Sequence, residues 1–339
     1  MNTDLTKLLK NFFQVYLQER ALSPHTIKSY RDSFKLLLNY LQSYRRSPRA
    51  PTLLDLNVKT ILAFLHHLED AECGRGNCAQ TRNQRLVAIQ CFFKYVSLYH
   101  PSLEPHAKRI LSIPIKRAPI KAVQSLNRKE LEALLAQPHI TTSDGIRDLT
   151  ILTFLYNAGA RASEAADARL SWFDFPNRTV AILGKGRKER ITPLWPSTIR
   201  LLKLYANRHR RKPKSGFADY FYINQRSRSF TRFGIRAVVK RHLAAASMRC
   251  PSLAAKSLST HSLRHTCAVH LLESKVDPNV IKSWLGHASI SSTDRYLDTD
   301  LTHKRRILEQ FGPPPYVASL ENPQSPGSNT DILNWLDDL

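Results

Sequence analysis

Along the first hundred residues, apolar side chains recur three and four positions apart. Leu8, Leu9, Phe12, Phe13, Tyr16 and Leu17 form one such stripe, and Ile27, Tyr30, Phe34, Leu37, Leu38 and Leu41 form a second. This spacing lines up one face of an α-helix. The second stripe has a defined start, with Ser23 as cap and Pro24 at the first helical position, where no amide hydrogen is needed. A polar, proline-containing break follows at 43–57. Then Ile61, Leu62, Phe64, Leu65 and Leu68 predict a third helix, ended by a glycine turn at 74–76. Leu86, Ile89, Phe92, Phe93 and Val96 predict a fourth, starting near Thr81. Residues 1–110 therefore read as a small helical bundle. From His100 to Val123 proline and basic residues dominate, and the stretch reads as a linker, with 111–124 taken as the span between the two domains.

A second domain is expected over 125–311. Asn127 is a good helix cap with Glu130 three residues on, and helices are predicted at 127–136 and 143–158. Val180, Ile182 and Ile191 flank a glycine-rich basic turn and predict a β-hairpin within 179–194. Further helices are expected at 196–208, 231–246, 261–273 and 277–285. The fold class is thus mainly α, a helical bundle followed by a mostly helical domain with a small antiparallel sheet. The tail, 312–339, reads as a loose Pro- and Ser-rich stretch to 328. A short amphipathic helix then carries Ile332, Leu333, Trp335, Leu336 and Leu339.

Charge narrows the partners. Over 339 residues the formal net charge is +24, which points to a polyanion, most commonly nucleic acid. An anionic membrane surface is a weaker fit, because no single basic amphipathic helix stands out. No apolar run approaches the roughly 18 residues that span a bilayer. The N-terminus lacks the pattern of a signal peptide, so a soluble, cytoplasmic protein is expected. Five scattered cysteines do not suggest a disulfide framework. Cys73 and Cys78, with His66 and His67 nearby, have the spacing of an ordinary turn more than that of a zinc site, and no second ligand pair follows. No metal or cofactor is expected.

Four segments offer phosphate-binding or proton-transfer groups. Arg161 sits at the mouth of a helix with Glu164 three residues on, a pair that alone is ordinarily a salt bridge. The hairpin turn holds Lys185, Arg187, Lys188 and Arg190, with glycines at 184 and 186 that allow close approach to a ligand. His261 and Arg264 share one face at a helix N-terminus capped by Ser259 or Thr260, where free amides and the helix dipole favour an anion. His287 and Tyr296 follow, nine residues apart. Singly, each has a bland explanation. Together they surround one oxygen nucleophile with cations, as metal-free phosphodiester cleavage needs. Arginines hold the non-bridging oxygens, a lysine protonates the leaving oxygen and a histidine takes the phenol's proton.

The stretch from Thr150 to Phe311 resembles the catalytic domain of tyrosine recombinases, the phage integrase family. The resemblance lies in GARASE at 159–164, GKGRKERITPL at 184–194, HSLRHT at 261–266 and LGHASISSTDRYLDT at 285–299. The N-terminal bundle, with LSPHTIKSYRDSFKLLLNYL, is similar to the family's core-binding domain. The resemblance implies that Arg161 and Arg264 bind the scissile phosphate and Lys185 is the general acid. It implies that His261 assists proton transfer, His287 hydrogen-bonds the phosphate, Tyr296 attacks, and Glu164 supports the site without touching DNA. The reaction implied is site-specific cleavage and rejoining of DNA through a 3′-phosphotyrosine, in integration, excision or transposition. The layout leans towards recombinases of mobile elements. The implied partners are double-stranded DNA with inverted-repeat core sites and further copies of the chain in a homotetramer, with a related recombinase or accessory protein possible. A bacterial, nucleoid-associated setting is implied, with no membrane role.

Several expectations accompany this resemblance. The basic linker suits a clamp closing around a duplex, and suits a solvated spacer equally well. Arg82 and Arg85, near the start of the fourth helix, are candidate DNA contacts, against the plainer reading of a solvated basic face. Where the family usually has a large apolar residue before the first arginine, this chain has Ala160 in an alanine-rich run, which predicts looser packing behind Arg161. The terminal helix is expected to dock on a neighbouring protomer, the rival being its own domain. Two other functions compete. A type IB topoisomerase would share the nucleophile chemistry, but the two-domain layout and acidic tail oppose it. A non-cutting DNA-binding protein would not need the complete set of six catalytic residues.

Overall fold

The computed structural model describes residues 4–45, 51–118, 124–184, 189–286, 304–305, 307–309 and 312–319. The chain divides into two compact units, Met1–Lys121 and Ala122–Leu339. No described helix is long and apolar enough to cross a membrane.

In the first unit the four predicted stripes form helices. The first, α1 (Leu5–Asn11), is capped by the Asp4 carboxylate and runs on through a π-helical turn (Phe12–Tyr16) to Glu19. It is followed by α2 (Pro24–Arg45), α3 (Val58–Glu69) and α4 (Ala79–Tyr99). Their apolar faces meet around an aromatic knot in which Phe12 and Phe34 each approach Phe92 edge-on at 5.3 Å, a favoured ring geometry. The expected linker begins as structure. Helix α5 (Glu104–Leu111) buries Ala107 and Ile110 in this core, and Ile113 is buried after it. The Gln90 amide donates to the carbonyls of Leu111 (3.1 Å) and Ile113 (3.0 Å), and Asn83 pairs with the backbone of Lys116. Proline at the second position of α5 suits a helix start, although the stretch around it reads as a linker by composition.

The second unit opens with α6 (Arg128–Leu135), where Asn127 and Glu130 form a reciprocal capping box. Helix α7 (Ser143–Asn157) is buried on nearly every side and forms the axis of this core. It leads to the short α8 (Ala162–Asp167). The sheet is antiparallel in the order β1 (Phe173–Asp174), β2 (Thr179–Leu183), β3 (Glu189–Pro193), and β1 was not anticipated. Then come α9 (Pro196–Leu204), α10 (Arg232–Arg249), α11 (Pro251–Ala254), α12 (Thr260–Glu273) and α13 (Pro278–Leu285). The alanine-rich run does not pack loosely. Ala160, Ala165, Ala166 and Ala168 are all buried, and their small side chains let α8 lie close against α10. Nor is the start of the tail loose throughout. Helix α14 (Pro315–Ser319) follows buried Pro314, and Tyr316 packs on the core of the second unit. The expected helix over 330–338 lies outside the described residues.

A buried ion network joins α7 to α10. Asp148, 2% exposed, accepts from Arg147 at 2.8 and 3.1 Å and pairs with His242 at 3.0 Å and with Arg241. Burial alone would raise its pKa, but hydrogen bonding to His242 and the charges of Arg147 and Arg241 hold it below the ordinary carboxylate value. Asp148→Asn should destabilise the second unit by about 1–3 kcal/mol, because Arg147 then keeps only the carboxylate of Asp144 and the charged hydrogen bonds of the buried network are weakened. A depressed carboxylate pKa contributes stability above the unfolded value and loses it as pH falls through the folded one. The difference between wild type and variant should therefore shrink in acid. Urea unfolding followed by tryptophan fluorescence tests this, since Trp172, Trp195 and Trp284 pack in the second unit.

Candidate active site

Helix α7 ends at Gly159, whose φ of +56° is a left-handed turn that suits glycine. A Cβ there would lie 2.4 Å from Leu285 Cδ2, so glycine is also required by close approach. The chain reverses through Ala160 and places Arg161 at the N-cap of α8. Glu164 reaches back to accept from the Arg161 amide at 2.8 Å and from its guanidinium at 2.6 Å. Glu164 is 5% exposed, and Arg190 on β3 donates to both of its oxygens, at 2.7 and 3.2 Å. By sequence Arg190 belongs to the basic hairpin turn, among the candidate phosphate-binding cations. It is instead a buried residue, and the alternation of apolar residues along the hairpin gave no sign of it.

Ser259 caps α12 and accepts from the His261 amide at 3.2 Å. His261 and Arg264 therefore sit in the first turn, as the sequence predicts. His261 is exposed, whereas Arg264 is 3% exposed. The Arg264 guanidinium donates to the carbonyl of Gly159 at 2.6 Å and to that of Leu285, tying the end of α7 to the end of α13. Gly286, at φ +65°, terminates α13, and a Cβ there would lie 2.9 Å from Arg190 Cδ.

Two guanidinium groups thus bind one carboxylate and a third, Arg264, lies in the same field, a surplus of two positive charges before any histidine is counted. Burial and the charges of Arg161 and Arg190 lower the Arg264 pKa to about 10. Burial pushes Glu164 up, but the hydrogen bonds and charge of Arg190, with those of Arg161, bring it below the ordinary carboxylate value. Partial desolvation, then Arg264, His265 and Arg161, hold His261 below the ordinary imidazole value. Neutral at physiological pH, His261 can accept a proton. The Arg161 side chain, 36% exposed, keeps an open edge towards solvent. The arrangement can bind an oxyanion with fixed charge and no metal. Among the described residues there is no cluster of three or more His, Cys, Asp or Glu groups able to hold a metal, and Cys73 and Cys78 are exposed free thiols.

The structure thus gathers Arg161, Glu164, His261 and Arg264 from separate segments. Lys185, His287 and Tyr296 lie outside the described residues. Arg82, a candidate DNA contact by sequence, is engaged within the bundle. Its side chain is 7% exposed and donates to Asn83 (2.9 Å) and to the Pro114 carbonyl (3.3 Å), fastening the chain beyond α5 to the bundle. Arg85 is half-buried and ties α4 to α2 through Ser33 Oγ (3.1 Å) and the Ser29 carbonyl (3.3 Å). Long basic side chains near a helix start look solvated in a sequence, but their stems pack and their heads find carbonyls.

Comparisons with known proteins agree with this architecture. The family model described as the phage integrase family matches residues 124–303, and that described as the phage integrase N-terminal SAM-like domain matches residues 9–98. The integrase/recombinase y4rC of Sinorhizobium fredii is 35% identical over 92% of this chain and 93% of its own length. The tyrosine recombinase XerD of Staphylococcus haemolyticus is 30% identical over 92% of this chain and 99% of its own. Among solved structures, the XerH site-specific recombinase bound to its difH substrate superposes with a TM-score of 0.58 at 22% identity, covering 80% of this chain and 78% of that one. The Tn1549 transposon integrase in complex with a circular intermediate DNA gives 0.62 at 12% identity, covering 87% and 96%. At these identities the structural likeness shows a shared fold.

Arg161→Gln should raise the pKa of His261, since one neighbouring cation is lost and the charged imidazole becomes easier to form. An NMR titration of the His261 ring protons checks this, and an unchanged or lowered value would separate the two groups electrostatically.

Proposed function

The chain belongs to the phage integrase family of tyrosine recombinases, DNA strand transferases that carry out site-specific recombination, and on that footing we propose how its residues divide the work. Tyr296 is the nucleophile. Its oxygen forms a bond to the scissile phosphorus while the bond to the 5′ oxygen breaks, leaving a 3′-phosphotyrosine. His261 takes the phenol's proton, directly or through water, and Lys185 delivers a proton to the leaving 5′ oxygen. Arg161 and Arg264 stabilise the charge that builds on the non-bridging oxygens, and His287 adds a hydrogen bond there. Rejoining reverses the sequence with a 5′ hydroxyl from the partner strand. The phosphotyrosine keeps the bond energy, so no ATP is consumed.

The observation that carries this reading is the surplus of guanidinium charge around Glu164. A phosphodiester brings one negative charge and its transition state a second, which matches the surplus. Glu164 supports the site by fixing Arg161 and does not itself approach DNA, because its oxygens are fully engaged with arginine. The neutral tendency of His261 suits a base, and the buried, fixed Arg264 suits a group that needs no reorganisation as charge develops.

The partner is double-stranded DNA with inverted-repeat core sites, bound by both domains, and the working assembly is a homotetramer on two paired sites. Solved structures of the same fold include DNA complexes, among them XerH with its difH substrate and a lambda integrase dimer on a core site. The net charge of +24 supports the same partner. The chain beyond α5 is held to the first unit as far as Lys116, so the linker is shorter than composition suggests. The amphipathic C-terminal helix, with acidic Asp331, Asp337 and Asp338, docks on a neighbouring protomer and links the four. A helix of this length is too short to stand alone.

Tyr296→Phe removes one oxygen and no charge. It should abolish the SDS-stable adduct on a nicked suicide duplex while leaving affinity for the site nearly intact. A persisting adduct would rule out Tyr296. Tyr205 is no substitute, being 1% exposed with its hydroxyl accepting from the Ile223 amide at 3.1 Å.

Deleting residues 321–339, beyond the packed Tyr316, should leave single-site binding intact but reduce assembly of paired sites and recombination. Sedimentation of the DNA complexes and a two-site recombination assay measure both. Full recombination by the truncated chain would overturn docking between protomers.

A further inference from the structure

Arg190 is the residue through which three parts of the site touch. Strand β3 resumes after the turn that contains Lys185, and Arg190 is its second residue, paired in register with Ile182. An arginine at the start of a strand beside a basic turn would ordinarily point to solvent. Here it is 7% exposed and lies on the face of the sheet that turns inward. Its guanidinium meets the Glu164 carboxylate as a two-point fork, with contacts of 2.7 and 3.2 Å. The same carboxylate holds Arg161 at 2.6 Å. The stem of Arg190 is pressed against Gly286, where a Cβ would come within 2.9 Å of Cδ and 3.3 Å of Nη1. Gly286 is the residue before His287.

A buried arginine needs a compelling partner, and a carboxylate fork is the geometry that fixes a guanidinium in both position and plane. Leaving such a charge buried without its partner is costly. The fork therefore sets where the first residues of β3 lie relative to α8. The turn holding Lys185 is anchored at one end by β2, which pairs with β3 throughout its length. Its other end is anchored by the contact of Arg190 with Glu164. We infer that Arg190 is a positioning residue that sets the lysine turn in place against the arginine pocket, so that the general acid meets the leaving oxygen. The inference rests on the reading of Lys185 as that acid. Arg190 does not touch the substrate on this account. It acts through the turn that it follows in sequence.

The consequence is a specific kind of defect. A displaced acid slows cleavage of an ordinary phosphodiester and matters little when the leaving group needs no proton. Misplacement by about 1 Å can cost on the order of 10²-fold in rate. Arg190→Ala should thus lower the single-turnover cleavage rate about 10²-fold, with affinity for the DNA site changed less than about threefold. Arg190→Lys keeps the charge but not the fork, and should fall between the two. It also keeps the test open if the alanine variant does not fold, which thermal unfolding shows directly.

The deciding measurement uses a duplex with a 5′-bridging sulfur at the scissile position, whose thiolate leaves without protonation. Lys185→Ala is run in parallel. If sulfur rescues Lys185→Ala and rescues the Arg190 variants to within about tenfold of wild type, Arg190 positions the acid. If sulfur rescues Lys185→Ala but not the Arg190 variants, the inference fails while Lys185 stands as the acid. If Lys185→Ala is not rescued, the assignment of the acid fails, and the inference about Arg190 fails with it. Loss of DNA binding in step with cleavage would also overturn it, since a phosphate contact and not a positioning role would then explain the residue.

Discussion

A carboxylate buried among guanidinium groups governs the arrangement of the catalytic unit. Glu164, nearly out of contact with water, stays ionised because Arg190 and Arg161 both bind it. That single requirement joins the start of α8 to β3. Arg264, in the same field, is held by carbonyls at the ends of α7 and α13. Elements far apart in the chain are thereby brought to one place by directional polar contacts, while the apolar core beneath them supplies most of the burial. Fixed contacts of this kind set the position of a charged group more narrowly than packing does, because length and angle both matter.

The positive surplus has an energetic side. Three cations against one anion repel one another, and the lowered pKa of Arg264, to about 10, reflects burial together with that repulsion. An arriving phosphate would relieve such repulsion, which suits a site built for a charged substrate. Two left-handed glycines make the crowding possible. Gly159 admits Leu285, and Gly286 admits Arg190, at distances where any side chain would clash. The alanines of α8 serve a similar end by letting α10 come close, so the feature that suggested loose packing gives tight packing instead.

The first unit shows the same economy with different means. Its aromatic knot around Phe12, Phe34 and Phe92 is apolar throughout, and its basic side chains near the start of α4 are spent on structure. Arg82 and Arg85 fasten the segment beyond α5 and helix α2 to α4. Positive charge counted over the whole chain is a guide to the partner, but it does not say which arginine faces that partner.

Helical periodicity, proline and serine caps, and glycine stops were legible because they act within a few residues of one another. They yielded the four helices of the bundle, the capped start of α6, the hairpin and the N-terminal place of His261 and Arg264. The family was legible too, from four short motifs in order. Other features arise between segments and have no local signature. Arg190 lies inside because the register of β3 turns it towards Glu164, 26 residues away, and nothing in the alternation of apolar residues marks a charged side chain as interior. Arg264 is fixed in place because carbonyls 105 and 21 residues distant converge on it. Arg82 is buried because the chain beyond α5 folds back over it, 32 residues on. Pattern and propensity are short-range and can be read along the chain, whereas the partner of a long charged side chain is decided only when distant backbone closes around it.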